Sequence, residues 1–74
     1  MQNPKIQMTQ VDKISRDDLR ALHDGETRTF QLPSAAAVES GKTSAYIFAK
    51  LAGIRLRCES DFENKTLTIT RYDH

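Results

Sequence analysis

Seventy-four residues carry 11 Lys and Arg against 10 Asp and Glu, a net charge of +1, with one Cys and no Trp. A chain of that size holds one core rather than two, and the single thiol excludes an internal disulfide and a Cys-based zinc site. No apolar run approaches the roughly 20 residues of a bilayer span, and the near-neutral balance gives no global basic field of the kind that announces nucleic acid.

Residues 1–12 are polar and include Pro4. Ile6 and Met8 alternate as an edge strand would, but the composition reads as a flexible tail, leaving one domain over residues 13–74. Residues 1–10 hold one Lys and no continuous apolar stretch, so no secretory signal is read there and a cytoplasmic location is expected.

Residues 14–24, ISRDDLRALHD, predict a helix. Ser15 is the cap, Asp17 and Asp18 suit the positive end of the dipole, and Ile14 with Leu19 has the spacing of a hydrophobic staple. Gly25 supplies the stop. The apolar stripe is only Leu19, Ala21 and Leu22, which marks a surface helix.

Residues 26–32, ETRTFQL, alternate with period two and are rich in Thr, so they predict a strand that Pro33 ends. Residues 34–40 are a short helical run that Gly41 interrupts. Residues 43–52 predict the main helix, capped by Thr43 and closed by Gly53. That helix is apolar nearly all round, with Lys50 its only charge. One sheet covers one face of it. The other needs the first helix, the 34–40 segment or a second copy of the chain.

Residues 54–60 and 65–72 both alternate and predict a hairpin about the polar turn 61–64, with Asn64 able to take the left-handed conformation. Ile54, Leu56, Cys58, Leu67 and Ile69 fall on the inward face. Arg55, Arg57, Glu59, Thr66, Thr68, Thr70 and Tyr72 fall on the outward one. The fold expected is α+β: a three-stranded sheet, made of this hairpin and one earlier strand, packed on a central helix with an additional N-terminal helix.

The sharpest string is residues 36–43, AAVESGKT, a relaxed form of the phosphate-binding loop. It lacks the first glycine, and the chain downstream offers no parallel strand to carry a Mg²⁺-binding Asp, so nucleotide hydrolysis is not expected. What it leaves is a weak anion site of Gly41, Lys42, Thr43 and Ser44 at the start of the helix. No Ser–His–Asp or Cys–His set can be built from the spacing, no catalytic residue is assigned, and no metal or cofactor is expected.

Residues 40–58 contain four bases (Lys42, Lys50, Arg55 and Arg57) and no acid. With Thr66, Thr68 and Tyr72 they form the candidate nucleic-acid contacts, since Arg, Thr and Tyr meet phosphates and base edges. Against this stand Glu59, Asp61 and Glu63, which repel phosphate.

The stretch from Ser44–Ala45–Tyr46 through Gly53 to Arg55, Arg57 and Arg71 resembles a pattern in small, functionally unassigned proteins of phages and bacterial mobile elements, a helix followed by a basic hairpin. Phe30, Leu32 and Pro33 are similar to the strand that opens such proteins. The resemblance implies an accessory or regulatory role with DNA binding. The leading expectation is therefore a non-catalytic DNA-binding module acting as a dimer. The rival is an assembly module that forms a homodimer through helix 43–52 and has no nucleic-acid role.

Overall fold

The computed structural model describes residues 8–73. They form four strands and two helices: β1 (Met8–Gln10), α1 (Arg16–Arg20), β2 (Thr27–Gln31), α2 (Ala35–Ala52), β3 (Leu56–Asp61) and β4 (Thr66–Arg71). The sheet is mixed, in the order β1-β2-β4-β3. β1 runs parallel to β2, while β4 is antiparallel to both β2 and β3. β2 and β3 therefore run the same way with β4 between them, and α2 carries the chain across β4.

The α+β class and the C-terminal hairpin are as the alternation requires, but the sheet has four strands, not three. Met8–Gln10 was expected in a tail and instead pairs with β2, Met8 opposite Thr29 and Gln10 opposite Gln31. Residues 1–7, the rest of that expected tail, lie outside the described residues, as does His74.

α1 is a single short turn and a half, not the eleven residues of 14–24. Its cap is the expected Ser15, whose Oγ accepts from the Asp18 N–H at 3.2 Å while the Asp18 carboxylate accepts from the Ser15 N–H at 3.0 Å. With so few apolar positions, nothing beyond Leu22 holds the helix to the core, and the chain turns at Gly25, whose φ is 87°.

α2 runs unbroken from Ser34, its N-cap, to Gly53, its left-handed C-cap. The Ile54 N–H reaches back to the Ala49 carbonyl at 3.0 Å. The expected break at Gly41 is absent. Gly41 is buried inside the helix, because a Cβ there would lie 2.8 Å from Ile14 Cγ1 and 3.3 Å from Leu67 Cδ2. The glycine lets α2 approach the sheet.

The core lies between α2 and one face of the sheet. Phe30, Leu56, Leu67 and Ile69 meet Val38, Ala45 and Ala49 there, with Ile14, Leu19, Leu22 and Leu32 closing the sides. The hairpin turn takes its positive φ at Lys65, 58°, and not at Asn64. Asn64 is held instead by the Asp61 carboxylate, which accepts from its backbone N–H at 3.1 Å and its side-chain amide at 2.9 Å.

Candidate functional site

Two surfaces stand out, one on each layer. The first is the solvent side of α2. Seven of its last eight residues are apolar or aromatic, and the row that the sheet takes is Val38, Gly41, Ala45 and Ala49. Phe48 turns towards α1 and is half-buried. Tyr46, Ile47 and Leu51 stay 43 %, 55 % and 76 % exposed. Between α1 and α2 runs an open groove of about 400 Å³. Ile14, Leu19 and Phe48 line it on the core side and Ile47 and Leu51 on the rim. Its charged lining residues are Arg16 and Arg20. Arg20 meets Asp17 at 3.3 Å, a pair so exposed that it holds the guanidinium weakly.

The second surface is the outward face of the sheet. Thr27 pairs with Thr70 and Thr29 with Thr68, and their hydroxyls bond across the strands at 2.8 and 3.0 Å. On β3, Arg57 stands opposite Thr70, Glu59 opposite Thr68 and Asp61 opposite Thr66. The Tyr72 N–H donates to the Arg55 carbonyl at 3.0 Å, so the ladder extends one rung past the strand. Along β3 the face is thus basic at one end (Arg55, Arg57) and acidic at the other (Glu59, Asp61), with the uncharged threonines of β2 and β4 beside it.

The structure brings Arg55, Arg57, Thr66, Thr68 and Tyr72 onto this one face, as the alternation requires. It does not bring Lys42 and Lys50 there. Both lie on α2, in the other layer of the fold. The expected anion site at a helix start is overturned as well. Gly41, Lys42, Thr43 and Ser44 sit inside α2, beyond the first turn, so their N–H groups belong to intrahelical bonds. The Thr43 hydroxyl is turned back to the Glu39 carbonyl at 3.2 Å. The true helix start, at Ser34, has no acidic or basic side chain in its first turn.

Arg71, part of the basic pattern in the sequence, has a structural post. It lies on the inward side, donating to the Leu22 carbonyl at 2.9 Å and to the Asp73 carboxylate at 2.9 and 3.0 Å. The Cys58 thiol is pushed up by burial, an effect that the Tyr46 hydroxyl and Lys42 offset in part. A thiol held neutral is a poor nucleophile. Asp17 and Asp18 serve the start of α1. Among the described residues no group of three or more His, Cys, Asp or Glu is placed to hold a metal ion. No helix of these residues is long and apolar enough to cross a membrane.

No family model matches this chain, and no curated protein or solved structure does either.

Sequence reasoning missed the groove. Its two walls are 24 or more positions apart in the chain, and their approach depends on Gly41. The surplus of apolar residues on helix 43–52 was the available signal.

Proposed function

We propose that this protein is a non-catalytic interaction module whose contact is the groove between α1 and α2. One observation carries the reading: Ile47 and Leu51 stand in solvent beside a groove walled by Leu19 and Phe48. A small monomer rarely leaves such apolar side chains together without a use. The occupant is a protein segment with apolar anchors and acidic flanks, because Arg16 and Arg20 are the charges that line the groove. Anchors spaced on one face of a helix would fit between the two rims. The setting implied by the resemblance, an accessory protein of phages or mobile elements, agrees with such a role.

A designed helical peptide with leucines on one face and glutamates elsewhere tests this, against the same peptide with lysines. The acidic peptide is expected to bind and to shift the NMR signals of Ile47 and Leu51, and Leu51→Lys to abolish the effect. Equal binding of both peptides, or of neither, overturns the reading. Sedimentation that depends on concentration and is lost in Leu51→Lys would make the occupant a second copy through α2.

A second reading, DNA binding, is favoured by the clustering of Arg55, Arg57 and Tyr72 at one end of the sheet. Titration of a labelled duplex at low and moderate salt tests it. Salt-dependent binding lost in an Arg55→Ala/Arg57→Ala double variant supports it, and binding indifferent to salt or to the variant ends it.

A further inference from the structure

Among the described residues β3 is an edge strand: it pairs with β4 on one side and with no strand on the other. Arg57, Glu59 and Asp61 direct their backbone groups towards β4, as the Tyr72–Arg55 bond and the register require. Leu56, Cys58 and Ser60 therefore point theirs away from the sheet. The Cys58 N–H meets the Tyr46 hydroxyl at 3.2 Å. Edges of this kind are templates for another strand unless their charges forbid it.

Here the order of the charges does not forbid it. Arg55, Arg57, Glu59 and Asp61 succeed one another on the outward face, two bases and then two acids. Their neighbours on β4 are threonines and Tyr72, and no ion pair engages Arg55, Arg57 or Glu59 among the described residues.

We infer that β3 pairs antiparallel with β3 of a second copy about a two-fold axis at Cys58, joining two sheets into one. In that register Arg57 faces the second copy's Glu59, and Arg55 faces its Asp61, twice each by symmetry. Leu56 exchanges backbone bonds with Ser60 of the second copy, and the two Cys58 residues exchange theirs.

Every neighbouring two-fold register sets like charges together. Centred on Leu56, Arg55 meets Arg57. Centred on Arg57 or Glu59, each meets its own copy. Centred on Ser60, Glu59 meets Asp61. Backbone bonds supply the affinity, and the charges choose the register. Tyr46 gives up the Cys58 N–H to a carbonyl and packs at the axis. Lys42 and Lys50, one helical turn either side of Tyr46, repel across the axis and keep the dimer weak.

This pairing uses a different surface from the α1–α2 groove, so the two stand or fall separately. Sedimentation velocity on the full chain, over a concentration series at low salt, tests it. The natural chain is expected to dimerise, with concentration-dependent amide protection at Leu56, Cys58 and Ser60. Arg57→Glu alone and Glu59→Arg alone are each expected to weaken self-association about tenfold or more, since each sets like charges opposite twice. An equimolar mixture of those two variants restores opposite charges at every contact and is expected to re-form the dimer. Circular dichroism checks that both variants fold. A monomer at all concentrations overturns the inference. So does a mixture that fails to associate, or a dimer indifferent to Arg57→Glu and lost in Leu51→Lys.

Discussion

Gly41 of α2 lies against Ile14, the residue just ahead of the α1 cap, so closely that a Cβ on the glycine would come within 2.8 Å of Ile14 Cγ1. A glycine inside a helix costs about 1 kcal/mol against alanine. The fold accepts that because the alternative is overpacking, which costs about 1–3 kcal/mol. The Gly41→Ala variant is therefore expected to be destabilised, by roughly 1 kcal/mol net of its better helix propensity. In an Ile14→Ala background the 2.8 Å obstruction is gone and only the Leu67 Cδ2 methyl, at 3.3 Å, has to give by a few tenths of an ångström, so the same change is expected to raise stability. Urea unfolding of the four chains measures both signs. Destabilisation in both backgrounds would show that Ile14 is not what Gly41 accommodates.

Arg71 ties the end of β4 to the end of α1. Its guanidinium meets the Leu22 carbonyl, in the loop just past the α1 C-cap at Ala21, and the Asp73 carboxylate fixes it in place. Because the side chain is only 23 % exposed, this bond is shielded from water more than a surface pair is. Replacing Arg71 by Met keeps the stem and removes the donors. The expected loss is about 1–2 kcal/mol in unfolding free energy, with Lys recovering part of it. Equal stability of the Met variant would leave Arg71 with no structural role.

Much of this was written in the sequence, and the misreadings share one cause. Leu56, Leu67 and Ile69 are inward because period two forces them inward, and the Gly53 stop follows from local chemistry alone. Gly41 looks like a break because propensity is a local quantity, while its reason is contact with Ile14 and Leu67 from elsewhere in the chain. Met8–Gln10 carries only the brief alternation of Ile6 and Met8, because three exposed residues hold little pattern, and it is a strand through its bonds to β2. For the candidate surfaces the same division holds. The order of charges in 55–61 was plain, but that β3 lies at an edge is a fact of topology.

Glu26 links pH to stability. Its carboxylate accepts from the His23 N–H at 2.8 Å and from Arg28 at 2.6 Å, and these bonds hold its pKa below the ordinary 4.5. Asp61 is lowered from 3.8 by its two bonds from Asn64. A carboxyl depressed on folding contributes stability that is complete above its unfolded pKa and is lost as the pH falls through the folded one. Stability is therefore expected to be level above about pH 5 and to decline below pH 4.5 as these groups protonate. Urea midpoints across that range check it. Glu26→Gln should flatten part of the acid slope, and a slope unchanged in Glu26→Gln and in Asp61→Asn would exclude both groups as its source.

Tyr46 has two opposed effects on the exposed edge. Its hydroxyl satisfies the Cys58 N–H of the single chain, and in doing so it occupies the place where a second strand would bond. Tyr46→Phe removes the oxygen and keeps the ring. For the single chain the expected cost is about 0.5–1 kcal/mol, small because water reaches the freed N–H. If β3 pairs with a second copy, the same substitution is expected to strengthen self-association, because the Cys58 N–H no longer leaves a partner to join the ladder. Thermal unfolding at low protein concentration reads the first effect and sedimentation at high concentration reads the second. Association weakened by Tyr46→Phe would mean that the hydroxyl supports the contact between copies rather than competing with it.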